Sequence, residues 1–257
     1  MEERRIGLTG STLKLIAIVT MFIDHVGAAI VARILLQYRA DIPVITAIRG
    51  VMDYHTLYVV YMTLRMIGRI AFPIFCFLLV EGFLHTRDSR KYAMRLGIFA
   101  LVSEIPFDLA FSSALLEFEY QNVFFTLFLG LLTMMGWDAI EKKFADGSFV
   151  RILCNALVLF AGMGAAELLR TDYGMKGVFC IMVLYIFRNK RIYQVIAGCL
   201  SFFWWEIAAV LSFIPIYFYN GKRGLKLKYF FYAFYPAHLL LLYLICHFLG
   251  IDGVAAV

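Results

Sequence analysis

An apolar run over residues 13–36 carries Lys14 at its start and an Asp24-His25 pair at its middle. The run is long enough to cross a bilayer, which takes about 20 apolar residues in a helix. An ionisable pair near the middle of a membrane is costly, so such residues are first considered as functional ones. The run therefore predicts a membrane helix with a chemical role.

The composition places the rest of the chain in the membrane as well. Of the 257 residues, 63% are hydrophobic and 16% are charged, which is more apolar surface than one soluble core of this size can bury. The net charge of +6 is divided among short segments between apolar runs, as topology signals are, so nucleic-acid binding is excluded. We expect an all-α polytopic membrane protein with the bilayer as a partner, in a single domain over residues 1–257.

Cysteine spacing argues against metal and disulfide chemistry. The five cysteines lie inside apolar runs and form no Cys-x-x-Cys pair: Cys76, Cys154, Cys180, Cys199 and Cys246. This pattern indicates neither a disulfide framework nor a zinc site, and no metal is expected. The first apolar run is too long and too polar at its middle for a cleaved signal peptide, so we expect it to stay attached.

Apolar runs bounded by charged and turn residues predict the membrane spans. They lie near residues 12–36, 60–84, 92–111, 122–140, 149–168, 173–187 and 229–249. Residues 192–219 are too long for one ordinary span and short for two, with Glu206 at their middle. Counted as two short crossings, they complete a single bundle of about nine helices.

Basic residues orient these spans by the positive-inside rule. A cytoplasmic N-terminus places the following residues inside: Arg4, Arg5, Lys14, Arg87, Arg90, Lys91, Arg95, Lys142, Lys143, Arg188, Lys190 and Arg191. The acidic loop with Asp108, Glu117 and Glu119 then lies outside. The basic segment 221–228 obeys the rule only if residues 192–219 cross twice, which also puts the C-terminus outside.

Lys14 and His25 are eleven positions apart, which returns them to nearly the same helix face, about 16 Å apart along the axis. Asp24 points about 100° away from His25, so its expected partner is a cation or a donor on another helix. In the last span, His238 lies about 13–15 Å beyond Lys228, at a depth that matches that of His25. Pro236 adds an expected kink beside it.

Further polar residues lie within or near the predicted spans. Arg65 and Arg69 are one turn apart and are expected to pair with Glu104 or Asp108, in a network for which a structural role competes with a catalytic one. Glu81 is expected near the surface, solvated or in a helix-end contact. The residues considered as possible support for a site are Arg69, Glu81, Glu104, Asp108, Asn122 and Tyr235.

Short motifs along nearly the whole chain resemble the TraX family. They are residues 13–27 with Asp24-His25, 67–77, 81–86, 92–95, 103–108, 122–126, 172–174, 219–224 and 234–239. The family takes its name from a membrane protein that acetylates the N-terminal amine of conjugative pilin. The spacing from Lys14 to His25, in which a basic residue is followed by ten residues and then a histidine, is also similar to a motif of membrane acyltransferases that modify surface sugars.

The resemblance implies acetyl-CoA as the donor, an amine or hydroxyl acceptor such as a pilin-like peptide N-terminus or a surface glycan, and a bacterial plasma membrane. Both the resemblance and the residues point to acyl transfer with His25 as general base, either directly or through an acetyl-histidine. Asp24 and His238 are candidates to orient the acceptor or to donate to the oxyanion. The residues expected to hold the CoA phosphates are Lys14, Arg90, Lys91, Arg95, Lys222 and Arg223, with the rest of the loop up to Lys228.

Two other classes compete with this interpretation. A small transporter or channel would use Asp24, His25, His238 and Arg69 to line a proton or anion path. That class accounts for the ionisable residues, but not for the basic residues on the donor side together with the family-like motifs. A scaffold subunit would have no evident use for the polar cluster. Stabilisation of the protein by acetyl-CoA alone distinguishes an acyltransferase from both.

Overall fold

The computed structural model describes residues 7–225 and 228–255, without the side chains of Lys228 and Tyr229. The expectations for Arg4, Arg5 and the side chains of Lys226 and Lys228 therefore fall outside the described residues. Every named element in the described ranges is helical, which confirms the all-α prediction. The helices are α1 Gly10–His25, a π-helix Val26–Val31, α2 Ala32–Leu36, α3 Pro43–Arg49, α4 Tyr54–Gly68, α5 Ala71–Leu84, α6 Ser89–Ser112, α7 Val123–Lys143, α8 Phe149–Leu168, α9 Gly174–Ile186, α10 Arg191–Phe203, a 3-10 helix Ile207–Ser212, α11 Phe213–Tyr217 and α12 Lys228–Phe248.

Side chains that precede the helices explain where several of them begin. Thr9, Asp53, Asn122 and Ser148 each have extended backbone and accept an amide N–H from the first turn of α1, α4, α7 and α8. Such caps satisfy backbone donors that have no partner within the helix. The boundaries of these four helices are therefore encoded locally.

Five stretches in the described ranges are long and apolar enough to cross a membrane: Gly10–Leu36, Tyr54–Leu84, Val123–Lys143, Phe149–Leu168 and Phe230–Phe248. They correspond to predicted spans, and the second begins several residues earlier than expected. The predicted span 92–111 lies within α6, which is long enough but carries more charge. α9 is an apolar helix of only 13 residues. The count of about nine spans stays a prediction.

Residues 192–219 do not form one long helix. α10 ends at Phe203, a break follows at residues 204–206, and the 3-10 helix with α11 continues to Tyr217. The division of this stretch into two short apolar helical segments is confirmed, with the break directly at Glu206. Two short segments suit two crossings or a hairpin that enters the membrane part of the way.

The described chain divides into two compact units. The first contains the described residues of 1–72, 102–117 and 219–257. In it α1 packs against α4 and α12, and the π-helix packs against the same two helices. At the far end, α3 contributes Ile45 to an apolar cluster with Val31, Leu57 and Ile251.

The second unit contains residues 73–101 and 118–218. α7, α8 and α9 contact one another in pairs, and α10 packs against α9. Gly130 of α7 leaves the space that the Ile181 side chain of α9 occupies, because a Cβ at Gly130 would overlap it. Small residues at such contacts let membrane helices approach closely. The single-domain organisation stays a prediction.

Candidate functional site

His25 is the last residue of α1, at the point where the helix changes to π geometry. The apolar residues of α1 favour a helix in the membrane, and Thr9 caps its first turn. A π segment is uncommon and is often found at functional sites, because it widens the helix by one residue per turn locally. His25 lies 15 residues after Gly10, about 22 Å along the helix axis.

His25 contacts His238 of α12 directly. Nδ1 of His25 and Nε2 of His238 are 2.6 Å apart, within hydrogen-bond distance. The planes of the two rings are nearly parallel, with an angle of 4° between them, and the ring centroids are 4.9 Å apart. The two histidines, which were predicted to lie at the same depth, are therefore in direct contact, although they are 213 positions apart in the sequence.

Aromatic side chains surround the pair. Phe111 and Tyr235 present their edges to the His25 ring at centroid distances of 5.4 Å and 6.0 Å. Phe234 stacks on His238 at 4.7 Å, and Phe22 meets it edge-on at 6.1 Å. His238 is 4% exposed, whereas His25 is only partly buried. The His238 residue is thus enclosed, and the aromatic side chains around His25 hold its ring beside it.

Asp24 points away from His25 and pairs with Arg65 of α4. Nη1 of Arg65 donates to Oδ2 of Asp24 at 2.7 Å, which confirms the predicted cation on another helix. The prediction that Arg65 would pair with Glu104 or Asp108 is wrong, because α4 packs on α1 and brings Arg65 to Asp24 first. Gly68 permits this approach, since a Cβ there would overlap the Asp24 side chain.

Lys14 lies on the same side of α1 as His25. Its Nζ is 5.2 Å from the centroid of Phe231, seven residues before His238 on α12. The contacts of Lys14 and of His25 with α12 place both residues on the same face of α1, as predicted. The two helices therefore run in the same direction along this face.

The segment 219–225 holds the start of α1. The amides of Gly10 and Ser11 donate to the carbonyls of Lys222 and Arg223 at 2.8 Å and 3.0 Å. Asn220 donates its side-chain amide to the carbonyl of Gly7. Lys222 and Arg223 are exposed, and Arg223 is close enough to Lys14 for an electrostatic interaction. The beginning of α1 and this basic segment thus lie at the same end of the first unit, as the charge pattern predicted.

Arg90, Lys91 and Arg95 belong to the second unit, in the first two turns of α6. The helix begins at Ser89 because Asp88 accepts the amide N–H of Lys91 at 3.0 Å. This hydrogen bond lowers the pKa of the Asp88 carboxyl. Arg90 and Lys91 are exposed, and Arg95 is partly buried with its guanidinium near the Tyr92 ring.

Several helix ends of the second unit meet at the same place. Arg191 pairs with Glu81 at 3.5 Å, and Arg188 pairs with Glu141 at 3.1 Å. The Glu81 pair is the helix-end contact that the sequence predicted as one option. The basic residues at this end of the unit, apart from these two arginines, are Arg87, Arg90, Lys91, Arg95, Lys142, Lys143, Arg151 and Lys190.

The opposite end of the second unit is held by different contacts. Arg170 pairs with Glu119, the Tyr120 hydroxyl donates to Asp172, and Tyr173 packs on Trp205. Most basic residues of this unit thus lie at one end, whereas Arg170, Lys176 and Glu119 lie at the other. The predicted division of the loops between the two sides of the membrane stays a prediction.

The other support residues have diverse environments. Asn122 caps α7 and donates its side-chain amide to the carbonyl of Ala100 at 2.9 Å, a structural role. Asp108 is buried and accepts the amide of Glu117 at 2.9 Å. Arg69 follows α4 and is close enough to His25 for an electrostatic interaction. Glu104 is partly buried in α6.

Arg33 was missed by the sequence analysis. It is fully buried in α2 and donates to the carbonyls of Ala29, Ala110 and Val254 and to the hydroxyl of Ser113. A charged residue inside the first apolar run was the available signal. Because carbonyls and a hydroxyl take up its donors, Arg33 joins α2, the end of α6 and the C-terminal segment.

These features define a class: a helical membrane protein whose first and last helices bring two histidines into contact inside the helix bundle of one unit. The family model described as TraX protein matches residues 9–246. The chain belongs to the TraX family, and the resemblance of its motifs is confirmed.

A curated relative supports the same relationship. The chain is 31% identical over 270 residues to the "Probable fimbrial assembly protein FimC, serogroup H1" of Dichelobacter nodosus. The aligned part covers 93% of this chain and 96% of that protein. No solved structure matches the chain.

Proposed function

We propose that this protein is an integral membrane acetyltransferase that moves an acetyl group from acetyl-CoA to an amine or hydroxyl. The contact between His25 and His238 carries the proposal. An imidazole whose orientation is fixed by a second, buried imidazole suits a general base, which must be held in position to take the proton of the acceptor.

In the proposed reaction, the acceptor nitrogen or oxygen attacks the thioester carbonyl carbon. The bond from that carbon to the acceptor forms, the bond to sulfur breaks, and His25 takes the proton that the acceptor loses. The same imidazole then gives this proton to the leaving CoA thiolate. An acetyl-histidine intermediate is the alternative route, in which His25 attacks the thioester first.

The donor would enter at the end where α1 begins. Its phosphates would lie near Lys14, Lys222 and Arg223, because Lys and Arg donate to phosphate oxygens and the backbone of residues 222–223 is hydrogen-bonded to the first turn of α1. The pantetheine arm would follow the stripe from Lys14 to His25, which is about 16 Å long. Arg90, Lys91 and Arg95 of the second unit remain alternative donor contacts.

Asp24 and His238 are engaged with protein groups rather than directed at an acceptor. Asp24 accepts from Arg65, and His238 has a contact at each ring nitrogen. Their place in the proposed mechanism is therefore to support His25 and the helix that carries it. The oxyanion that forms on the thioester carbonyl oxygen would be stabilised by other donors, for which Arg69 is the candidate near His25.

The acceptor we favour is the N-terminal amine of a pilin-like peptide, with a surface glycan as the second choice. The family name and the fimbrial assembly protein among the relatives support a role in the assembly of pili or fimbriae. The family supports a bacterial plasma membrane setting, and the basic residues near the start of the chain support a cytoplasmic N-terminus by the positive-inside rule.

The test combines a mass measurement with a matched pair of variants. Cells with the wild-type protein should show a gain of one acetyl group on a surface peptide or glycan. His25→Ala should lower the transfer rate on the order of 10²–10⁴-fold, while the exposed His55→Ala should not change it. Donor binding should survive in both variants, since the imidazole does not hold the nucleotide.

Two outcomes would contradict the proposal. Near-normal transfer by folded His25→Ala would remove His25 from the mechanism. Failure of acetyl-CoA to stabilise the purified protein, combined with proton or anion flux that depends on His25 and His238, would favour the transporter or channel.

A further inference from the structure

The hydrogen bonds of His238 determine where its proton lies. Nδ1 of His238 is 2.8 Å from the carbonyl oxygen of Phe234, one turn earlier in α12. A carbonyl oxygen only accepts hydrogen bonds, so Nδ1 of His238 must carry a hydrogen. In the neutral ring, Nε2 of His238 then has a lone pair and no hydrogen.

The contact with His25 transmits this assignment to the first helix. Nε2 of His238 and Nδ1 of His25 are 2.6 Å apart, and one hydrogen must lie between them. Because His238 offers a lone pair, His25 supplies the hydrogen from Nδ1. Neutral His25 therefore keeps its own lone pair on Nε2, the nitrogen on the far side of its ring from His238.

We infer that His238 is a positioning residue that holds His25 in the tautomer with hydrogen on Nδ1, so that Nε2 is the basic nitrogen. Free neutral histidine prefers the opposite tautomer, with hydrogen on Nε2. In that tautomer Nε2 has no lone pair and cannot accept a proton. The hydrogen-bond partner at one ring nitrogen decides whether the other ring nitrogen carries a hydrogen or a lone pair. This inference rests on the proposed function for its catalytic meaning, but not for the tautomer itself.

The surroundings of His238 suit this role. Phe234 stacks on the ring with 16° between the planes, and Phe22 and Tyr235 meet it edge-on. These contacts oppose rotation of the ring away from His25. When Nε2 of His25 takes a proton, the hydrogen bond from Nδ1 to His238 becomes charge-assisted and stabilises the cation.

Nitrogen NMR tests the assignment without any need for catalysis. Protein with ¹⁵N-labelled histidine, purified in detergent, is observed through two-bond proton–nitrogen couplings, which separate the two neutral tautomers and the cation. Loss of signals in His25→Gln identifies the His25 resonances. We expect hydrogen on Nδ1 in both His25 and His238 of the wild-type protein at neutral pH.

Variants at position 238 provide the comparison. In His238→Leu the acceptor is gone, and His25 should change to hydrogen on Nε2. In His238→Gln the side-chain oxygen can accept from Nδ1, so the wild-type tautomer should persist even if the leucine variant folds poorly. His55→Ala should leave both resonances unchanged. Hydrogen on Nε2 of His25 in the wild-type protein, or an unchanged tautomer in folded His238→Leu, would overturn the inference.

Kinetics distinguishes this inference from the proposed function. His238→Leu should lower kcat on the order of 10²–10⁴-fold with little change in KM for acetyl-CoA, and His238→Gln should recover part of the loss. Expected tautomers without acetyl transfer would support the hydrogen-bond assignment and contradict the function. Acetyl transfer with kcat unchanged in folded His238→Leu would contradict the positioning role and leave the function in place.

Discussion

Replacing Gly68 with alanine should force α1 and α4 apart beside the candidate site. Gly68 is buried at the end of α4, one turn after Arg65, and an added Cβ would overlap Cβ, Cγ and Oδ1 of Asp24. The Cβ of Asp24 is bonded to the backbone and cannot rotate away, so one of the helices must move. Overpacking of this kind costs typically about 1–3 kcal/mol.

A second glycine provides a control of the same chemistry. Gly164 lies within α8, and a Cβ there meets no atom within 4 Å. Both substitutions carry the gain in helix propensity of alanine over glycine, up to about 1 kcal/mol, which largely cancels when the two variants are compared. Gly68→Ala should therefore be less stable than Gly164→Ala by about 1–3 kcal/mol.

Unfolding in mixed detergent micelles with increasing dodecyl sulfate, followed by circular dichroism, measures this difference. The cost of Gly68→Ala should persist in an Asp24→Asn background, which keeps Cβ, and fall in an Asp24→Gly background, which removes the overlapped atoms. Equal stability of Gly68→Ala and Gly164→Ala would refute the close approach of the two helices. A cost that disappears already with Asp24→Asn would attribute it to the ion pair instead.

Two further predictions concern the donor and the topology. Lys14→Gln should raise KM for acetyl-CoA more than it lowers kcat, because Lys14 would contact the CoA phosphates. Lys14→Arg should raise KM less, and Lys143→Gln should leave KM and kcat unchanged. An unchanged KM for acetyl-CoA in Lys14→Gln would leave Lys14 as an interfacial anchor. Single cysteines at Lys222 and at Leu115, in a protein without its native cysteines, should react with an impermeant label from opposite sides of the membrane, and labelling from the same side would contradict the predicted orientation.

Much of the site's first helix could be predicted from local sequence. The length and apolar character of residues 13–36 require a membrane helix, and helical periodicity then places Lys14 and His25 on one face. Periodicity likewise directs Asp24 elsewhere. The cap at Thr9 is also local, because its hydroxyl acts within one turn.

The partners of these residues depended on the packing of distant helices. Arg65 reaches Asp24 because two glycines, Gly27 and Gly68, let α4 approach α1 closely, and neither sequence neighbourhood reveals which helices will meet. The same packing left the predicted pairing of Arg65 with the acidic residues of α6 unrealised. Arg33 likewise found its carbonyl partners only through the arrangement of α6 and the C-terminal segment.

The sequence by itself determined that this chain is a helical membrane protein of the TraX family, since apolar length, charge distribution and short motifs are local properties. It also supplied both histidines at comparable depths. Only the tertiary structure decided that they touch, because the contact between α1 and α12 joins residues 213 positions apart. The tautomer that we infer for His25 follows from that contact together with the hydrogen bond that Nδ1 of His238 donates to the carbonyl of Phe234.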